Sequence, residues 1–587
     1  MNDSINKPKL LVIILPYLLL FLLGTFYLFH FTSYIFYSQE KSSLFLLTFS
    51  YLQEHLNQPG VFLIYLGELQ KAFYYYPLLG SVLVALEICI IIFILQKIGF
   101  VLTRRSYYFI PFLVGGTLFY LQTDYQYQAF NNLGFLVQLL LFLWFTKTSK
   151  EFFKWLQVIL FPAYYFLFGG YAVLLLGLVT IYFIQNRHWL KLLIGWVLAI
   201  IFFFIGEEFL FFQTTESLVR YPYSPEQIGG QIKMFLAVVG LVVIFPLLIR
   251  IQLGKLSAQQ IRKVEVNAFF PFVVLIDLAL IVMPRIDKKK LHYFHVEKLF
   301  HQQKYSELID YNLRFPTTNS LTAFLTNVAL AETGQLSTSL LLFPQSAGGN
   351  SLFLKWEMVN NVLERGGYFY YAVGMINEAQ RWAYEYMVMK GNSPEVMKIL
   401  IKTELIKGNY KVAEKYISML ESSLFYRNEA KAFRALLYND KAIIVHHELG
   451  KKRALDTKSD FFVQSDNPLL NLDYIIETDS LNIPALEYKL AWLMLRKDVP
   501  ALVAMLPAME KAGYKKIPAN VEEAVASYTM LKLGELPETQ YLAVSENTKR
   551  QFGEFYRIFV ENSSDQQRAQ KALARYSNTY WYYVFFK

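Results

Sequence analysis

The sequence predicts an all-α protein in two parts: a polytopic membrane domain of about nine spans, then a soluble solenoid of TPR-like helical repeats. Three observations carry this: an uneven charge distribution, a series of apolar runs and one measurable repeat. Lys, Arg, Asp and Glu together number 32 in residues 1–285 and 70 in residues 286–587. Over the whole chain they make up 17% against 55% hydrophobic residues, where a soluble domain carries about 25% charged. A chain this apolar is not disordered, and 587 residues exceed one compact domain. The net charge of +10 maps largely to loops between apolar runs, so it is not the patch that reads nucleic acid. Cys89 is the single cysteine, which excludes an intramolecular disulfide and a thiolate metal cluster.

A helix crosses the bilayer core in about 20 apolar residues. Leu10–Phe31 reads as an uncleaved first span, since no small-residue cleavage site follows it. Leu78–Leu95, Tyr107–Leu121, Leu133–Phe145, Phe152–Phe168, Tyr171–Ile184, Leu190–Phe212, Ile232–Ile251 and Val266–Met283 complete the set, and Phe152–Ile184 admits another division. Glu87 and Asp277 fall inside spans, where an acid costs roughly 2.5–3.5 kcal/mol at the bilayer centre. They either line a polar path or reach back to the helix ends.

Basic loops stay cytoplasmic. Lys7 and Lys9 precede the first span; Lys97, Arg104 and Arg105 follow the second, and Lys147, Lys150 and Lys154 the fourth. Arg187 and Lys191 follow the sixth, and Arg250, Lys255, Arg262 and Lys263 the eighth. The intervening loops carry Glu40, Glu54, Glu68, Asp124, Glu207, Glu208, Glu216 and Glu226. This alternation puts the N-terminus in the cytoplasm and, with an odd count, the second half outside a bacterial inner membrane, in the periplasm. Arg285, Lys288, Lys289 and Lys290 run against the pattern. A count off by one would place that half in the cytosol.

Residues 286–540 read as short amphipathic helices broken at Gly, Asn, Ser and Pro. Gly374 to Gly408, Ala379 to Ala413 and Trp382 to Tyr416 are each 34 residues apart, the tetratricopeptide period. Gln303–Leu308 and Gly334–Ser337 look like weaker turns of the same kind, and Asp498–Met509 like part of a further pair. Such a solenoid offers a concave face to a protein or peptide partner. Residues 541–587 form a helical cap whose aromatic tail, Tyr580–Lys587, either docks on the solenoid or meets the bilayer interface.

Soluble-enzyme motifs are missing: there is no phosphate-cradling loop, no nucleophile elbow and no H-E-x-x-H spacing at His446-His447. His292, His295 and His301 read as surface helix residues rather than ligands. Chemistry is left to the outer loops. The first, residues 32–77, is too long for a plain connection. It carries Ser38-Gln39-Glu40, an amphipathic stretch Leu44–Leu56, Pro59-Gly60, and Glu68 with Lys71. The second holds Asp124 among Gln122–Gln128, and a later one holds Arg220-Tyr221-Pro222-Tyr223.

This order of parts resembles the GT-C glycosyltransferases, polytopic enzymes that use polyprenyl-phosphate-linked sugars. It is similar above all to their O-mannosyltransferase branch, which carries luminal TPR repeats. It also resembles a family of Bacteroidota membrane proteins with a helical-repeat tail. The resemblance implies a membrane lipid donor, Glu40 as the base that takes the acceptor proton, and Asp124 supporting that base or a divalent cation. It implies Arg220 at the donor phosphate and leaves the metal ligands open. Gln39-Glu40 supplies one acid where the family carries a pair. Read from the residues alone, each of the three is more readily a solvated loop charge, Arg220 most of all. Three classes therefore stay open: a transferase, a non-catalytic anchor whose repeats scaffold envelope proteins, and a transporter.

The loop charges yield a prediction of sidedness. A phosphatase reporter fused after Lys587 should be active outside the inner membrane; activity confined to the cytosol would show that the span count is off by one.

Overall fold

Helices and turns make up the described chain. Among the described residues there is no β-strand, and an isolated antiparallel bridge joins Leu46 to Ser423. The computed structural model describes residues 7–56, 58–222, 229–255, 264–356, 360–457, 463 and 468–587. Tyr223, Glu226, Arg262 and Lys263 lie outside the described residues. The chain divides into two compact units, Met1–Leu291 with Ser422–Phe425, and His292–Glu421 with Tyr426–Lys587.

The first unit runs α1 (Lys7–Phe31), α2 (Tyr34–Glu40), α3 (Phe49–Leu56), α4 (Val61–Phe73), α5 (Pro77–Thr103) and α6 (Phe109–Gln122). It continues with α7 (Phe130–Lys147), α8 (Glu151–Ile159), α9 (Phe161–Phe168), α10 (Tyr171–Gln185), α11 (Trp189–Ile205) and α12 (Thr215–Arg220). The helices Ile232–Lys255 and Val264–Val282 follow. Five helices are long and apolar enough to cross a membrane: Ile13–Phe31, Pro77–Thr103, Phe130–Lys147, Trp189–Leu210 and Ile232–Arg250. Phe269–Arg285 passes that test only together with Lys288–His301, while α6 and α10 are apolar but shorter. Five helices among the described residues, not nine, thus reach full length singly.

Phe152–Phe168 departs most from expectation, breaking at Leu160 into α8 and α9. Pro162 has no N–H to continue the ladder. α8 also draws Lys154 and Lys191 to Glu151 while leaving Phe152 70% exposed, a two-faced helix rather than a uniformly apolar one.

α5 is the centre of the unit. Pro77 starts it at a position where a missing N–H costs nothing. Ile88, Ile91, Ile92, Leu95 and Ile98 are buried where α5 meets α1, α6 and α7. α7 also approaches α10 closely at Gly134, where a Cβ would stand 2.6 Å from the Tyr171 ring. In the first long loop only Phe49–Leu56 of the amphipathic stretch is helical. Leu44, Phe45 and Leu46 are buried in succession, which one face of a helix cannot do, and the Ser43 hydroxyl donates to Glu68.

In the second unit the helices Ile376–Lys390, Pro394–Lys407, Tyr410–Glu421 and Arg427–Arg434 pack each on the next. Gly374 and Gly408 take φ of 87° and 77°, a left-handed conformation that reverses the chain between helices and that favours glycine. Ala379 and Ala413 are both fully buried, but of the paired aromatics only Trp382 is; Tyr416 is half-buried. Gln303 and Gly334 carry the same positive φ beyond the helices Lys288–His301 and Ser320–Glu332. Asp498–Met509 is two short helices, Val499–Ala504 and Leu506–Lys511, each with a proline in its first turn. Arg365 is buried between Glu297 and Glu364, so its charge is matched inside the unit.

The aromatic tail is packed within this unit. Trp581 and Tyr582 join Phe552, Phe555 and Leu573 in one apolar cluster. Glu523 fixes the approach: its carboxylate accepts the Tyr580 N–H at 2.7 Å, and its backbone carbonyl accepts the Trp581 indole N–H at 2.7 Å. Burial, with Glu522 nearby, outweighs the hydrogen bonds from Tyr580 and Asn520 and pushes the Glu523 carboxyl up to about 7.

A carboxyl raised on folding favours the native state while protonated, and that stability is lost as pH rises through its folded pKa. Its contribution should be full below pH 4.5, the ordinary value, and gone above about pH 7. Glu523→Gln keeps an acceptor for Tyr580 without the charge. It should raise the thermal midpoint above pH 7 by about 2–4 °C per kcal/mol recovered and flatten the pH slope. Melts of the detergent-solubilised protein across this range check it; an unchanged slope would rule Glu523 out.

Candidate functional site

Gln39, in the last turn of α2, joins the first long loop to the loop that follows α6. Its buried side-chain amide donates to the backbone carbonyls of Tyr125 at 3.2 Å and Tyr127 at 2.7 Å. Glu40 follows it in the chain with 7% of its surface exposed, and Asp124 directly precedes Tyr125. Two hydrogen bonds therefore hold the end of α2 that carries Glu40 against the loop that carries Asp124. Asp124 is itself oriented: Oδ1 accepts the Gln126 N–H at 3.1 Å, and Oδ2 accepts the side-chain amide of Gln231 at 3.0 Å. Gln231 ends the turn that opens the helix Ile232–Lys255.

Buried amides brace this loop from below. The Tyr127 hydroxyl donates to Asn132 at 3.2 Å, and the Asn132 amide to Gln122 at 3.2 Å. The Tyr171 hydroxyl donates to Asn131 at 2.9 Å. Tyr171 also lines an apolar cavity of about 190 Å³ with Leu174, Trp196, Phe235 and Val243. Nearer the chain's start, burial would raise the Glu68 carboxyl, but Lys71 and the Ser43 hydroxyl outweigh it and hold Glu68 below its ordinary value. The Ser43 bond fixes the beginning of the loop to α4, where Lys71, 2.9 Å from Glu68 and one turn along the same helix, balances the charge.

Arg220 is not drawn to this group by any contact among the described residues. It is more than half exposed and pairs with Glu216, one turn earlier on α12, at 2.7 Å. The cation near Asp124 is a different one. The buried Tyr34 phenol is pushed above its ordinary value by burial first, then by the carboxylates of Asp287 and Asp124, with Arg285 opposing them. Arg285 stands 4.2 Å from the Tyr120 ring centre, and Lys290 stands 4.9 Å from that of Tyr125, Asp124's neighbour. In the sequence these two cations were legible only as exceptions to the loop-charge pattern. Among the described residues no three His, Cys, Asp or Glu side chains gather as a metal site, so no step is assigned to a cation here.

A family model matches residues 8–587, almost the whole chain, and its description is "Family of unknown function (DUF6057)". The chain belongs to DUF6057. No curated protein and no solved structure matches it. In this DUF6057 chain the second unit holds a charged cluster that sequence reading missed. The His301 side chain is covered rather than on the surface, its ring 3.5 Å from the Glu395 carboxylate and 3.1 Å from the Tyr368 hydroxyl. Beside it a cavity of about 30 Å³ is bordered by Lys402 and Tyr371, each 2.8 Å from Glu448. Burial would raise Glu448, but Lys402, Gln303 and Tyr371 together hold it at about 2. Lys398 is likewise shared between Glu395 and Glu429. The charges satisfy one another, which makes the cluster a brace between helices.

The Gln39 bonds can be tested without any activity. Gln39→Leu removes at nearly constant volume the donor that two loop carbonyls share. Amide hydrogen exchange across residues 123–128 should accelerate about tenfold or more; unaltered exchange would mean the loop holds itself.

Proposed function

We propose that this chain is a multi-pass protein of the bacterial inner membrane that transfers a sugar, or a similar group, from a polyprenyl-phosphate carrier to an acceptor on the outer face. What supports the reading is the pair of Gln39 hydrogen bonds, which hold Glu40's helix end on Asp124's loop. Glu40 takes the proton of the acceptor hydroxyl, working within about 2.6–3.2 Å of it. The hydroxyl oxygen attacks the sugar's anomeric carbon, the bond from that carbon to the phosphate oxygen breaks, and the phosphate leaves with the electron pair. Asp124, held by Gln231, keeps the acceptor in line. The apolar cavity at Tyr171 suits a stretch of hydrocarbon chain.

In this reading the shorter apolar helices complete about nine spans, and the loop charges set the N-terminus inside. The second unit is then a periplasmic TPR-like solenoid, supported by the left-handed glycines 34 residues apart. A scaffold is the second reading, favoured by Tyr384 and Val388, exposed one turn apart on the helix Ile376–Lys390.

Glu40→Gln and Asp124→Asn should each lower transfer of labelled sugar from a polyprenyl-phosphate donor about 100-fold or more, at unchanged protein level. Membranes carrying either variant that transfer like wild type would remove the enzyme and leave the scaffold, whose partner capture neither substitution touches.

A further inference from the structure

We propose that Arg285 and Lys290 form an anion site that receives a phosphate group where the last apolar helix of the first unit ends, the role that the family resemblance gave to Arg220. The assignment of that phosphate as a leaving group rests on the transferase reading; the binding does not.

Arg285 closes a short turn, Met283–Arg285, directly after the helix Val264–Val282, and the Tyr27 hydroxyl anchors that turn by donating to the Val282 carbonyl at 3.0 Å. The Tyr120 ring holds the guanidinium through its π face. Such a contact leaves the N–H fork directed elsewhere, and the Arg285 Nη1 nitrogen is buried without a hydrogen-bond partner. Among the described residues no carboxylate comes within ion-pair distance of Arg285. A buried charged donor without an acceptor is costly, and an anion is what relieves it.

The neighbouring acids are occupied. Both Asp124 oxygens accept N–H groups, from Gln126 and Gln231. Asp287 Oδ1 accepts the backbone N–H groups of Lys289 and Lys290 at 3.0 and 3.1 Å, and its other oxygen lies 3.8 Å from the Lys290 ammonium. Arg285 is therefore less neutralised than the count of charges suggests, and Lys290 has one distant carboxylate oxygen against it. A planar fork and a point-charge ammonium five residues apart, on rings that are themselves five residues apart, suit a tetrahedral, multiply charged phosphate. It also gives the four basic residues from Arg285 to Lys290 a reason to break the loop-charge pattern.

The test uses the full chain in phosphatidylcholine nanodiscs, titrated with inorganic phosphate followed by ³¹P line width. A parallel series has phosphatidic acid in the bilayer, read by thermal shift. Arg285→Gln and Lys290→Gln should each weaken binding about tenfold or more, Arg285→Lys less, and Arg220→Gln not at all. Competition between the two probes assigns recognition to the phosphate itself, and binding of phosphatidic acid alone assigns it to a lipid headgroup. Saturable binding of neither, or equal loss in Arg220→Gln, overturns the site. Transfer activity separates the two ideas: phosphate binding without transfer in wild type keeps this site and ends the transferase, whereas transfer unchanged in Arg285→Gln ends the phosphate role.

Discussion

An apolar helix bundle offers no hydrogen bonds of its own, so every polar group placed inside it has to be answered by another. In the first unit carboxamides answer several of these groups, while both polar atoms of Gln138 and the Asn131 amide nitrogen are buried without a hydrogen-bond partner among the described residues. Asn132 is the meeting point, taking the Tyr127 hydroxyl and giving its amide to Gln122, while its side chain and that of Gln70 also reach the Glu87 carboxyl. Upon that neutral framework sits Gln39, whose two bonds turn two separate loops into one surface. Amides suit the task because each donates and accepts without the desolvation cost of an ion.

The broad architecture was legible because it rests on composition. Charge density separated the two parts near Arg285, close to the division after Leu291, and no sheet was expected or found among the described residues. Finer features were lost where local sequence underdetermines packing. Nothing in Phe152–Phe168 marks a break except Pro162, and a proline inside an apolar run is also tolerated, as Pro16 is within α1. Leu44–Leu56 has helical periodicity, yet its first residues are extended because they are buried on all sides.

The candidate site divides in the same way. Glu40 and Asp124 stood out as acids at loop edges, and the Gln39 bonds relate their two segments. Arg220 stood out because it was the obvious guanidinium in an acidic loop, but its helix had already supplied Glu216 one turn away, a pairing that i,i+4 spacing alone could have revealed. Arg285 was visible only as an anomaly. Tyr34, Tyr120 and Tyr125, which gather the charges, come from two places in the chain, the start of α2 and the end of α6 with the loop after it, and no periodicity links them. His301 was misplaced for a related reason: the partners that cover it, Glu395 and Tyr368, lie 94 and 67 residues away.

The buried amides of α7 also bear on how the protein is made. Asn131, Asn132 and Gln138 sit in one helix, and of the five full-length apolar helices α7 has the lowest mean hydropathy. Such a segment partitions poorly into lipid by itself, because each amide would enter hydrocarbon unanswered. Its natural companions, α5 and α6, are synthesised earlier and bring Glu87 and Gln122 with them. Inserted into a bilayer, α7 would leave the insertion machinery together with α5 and α6, which ties the order of biogenesis to the same carboxamides that position the loop holding Asp124.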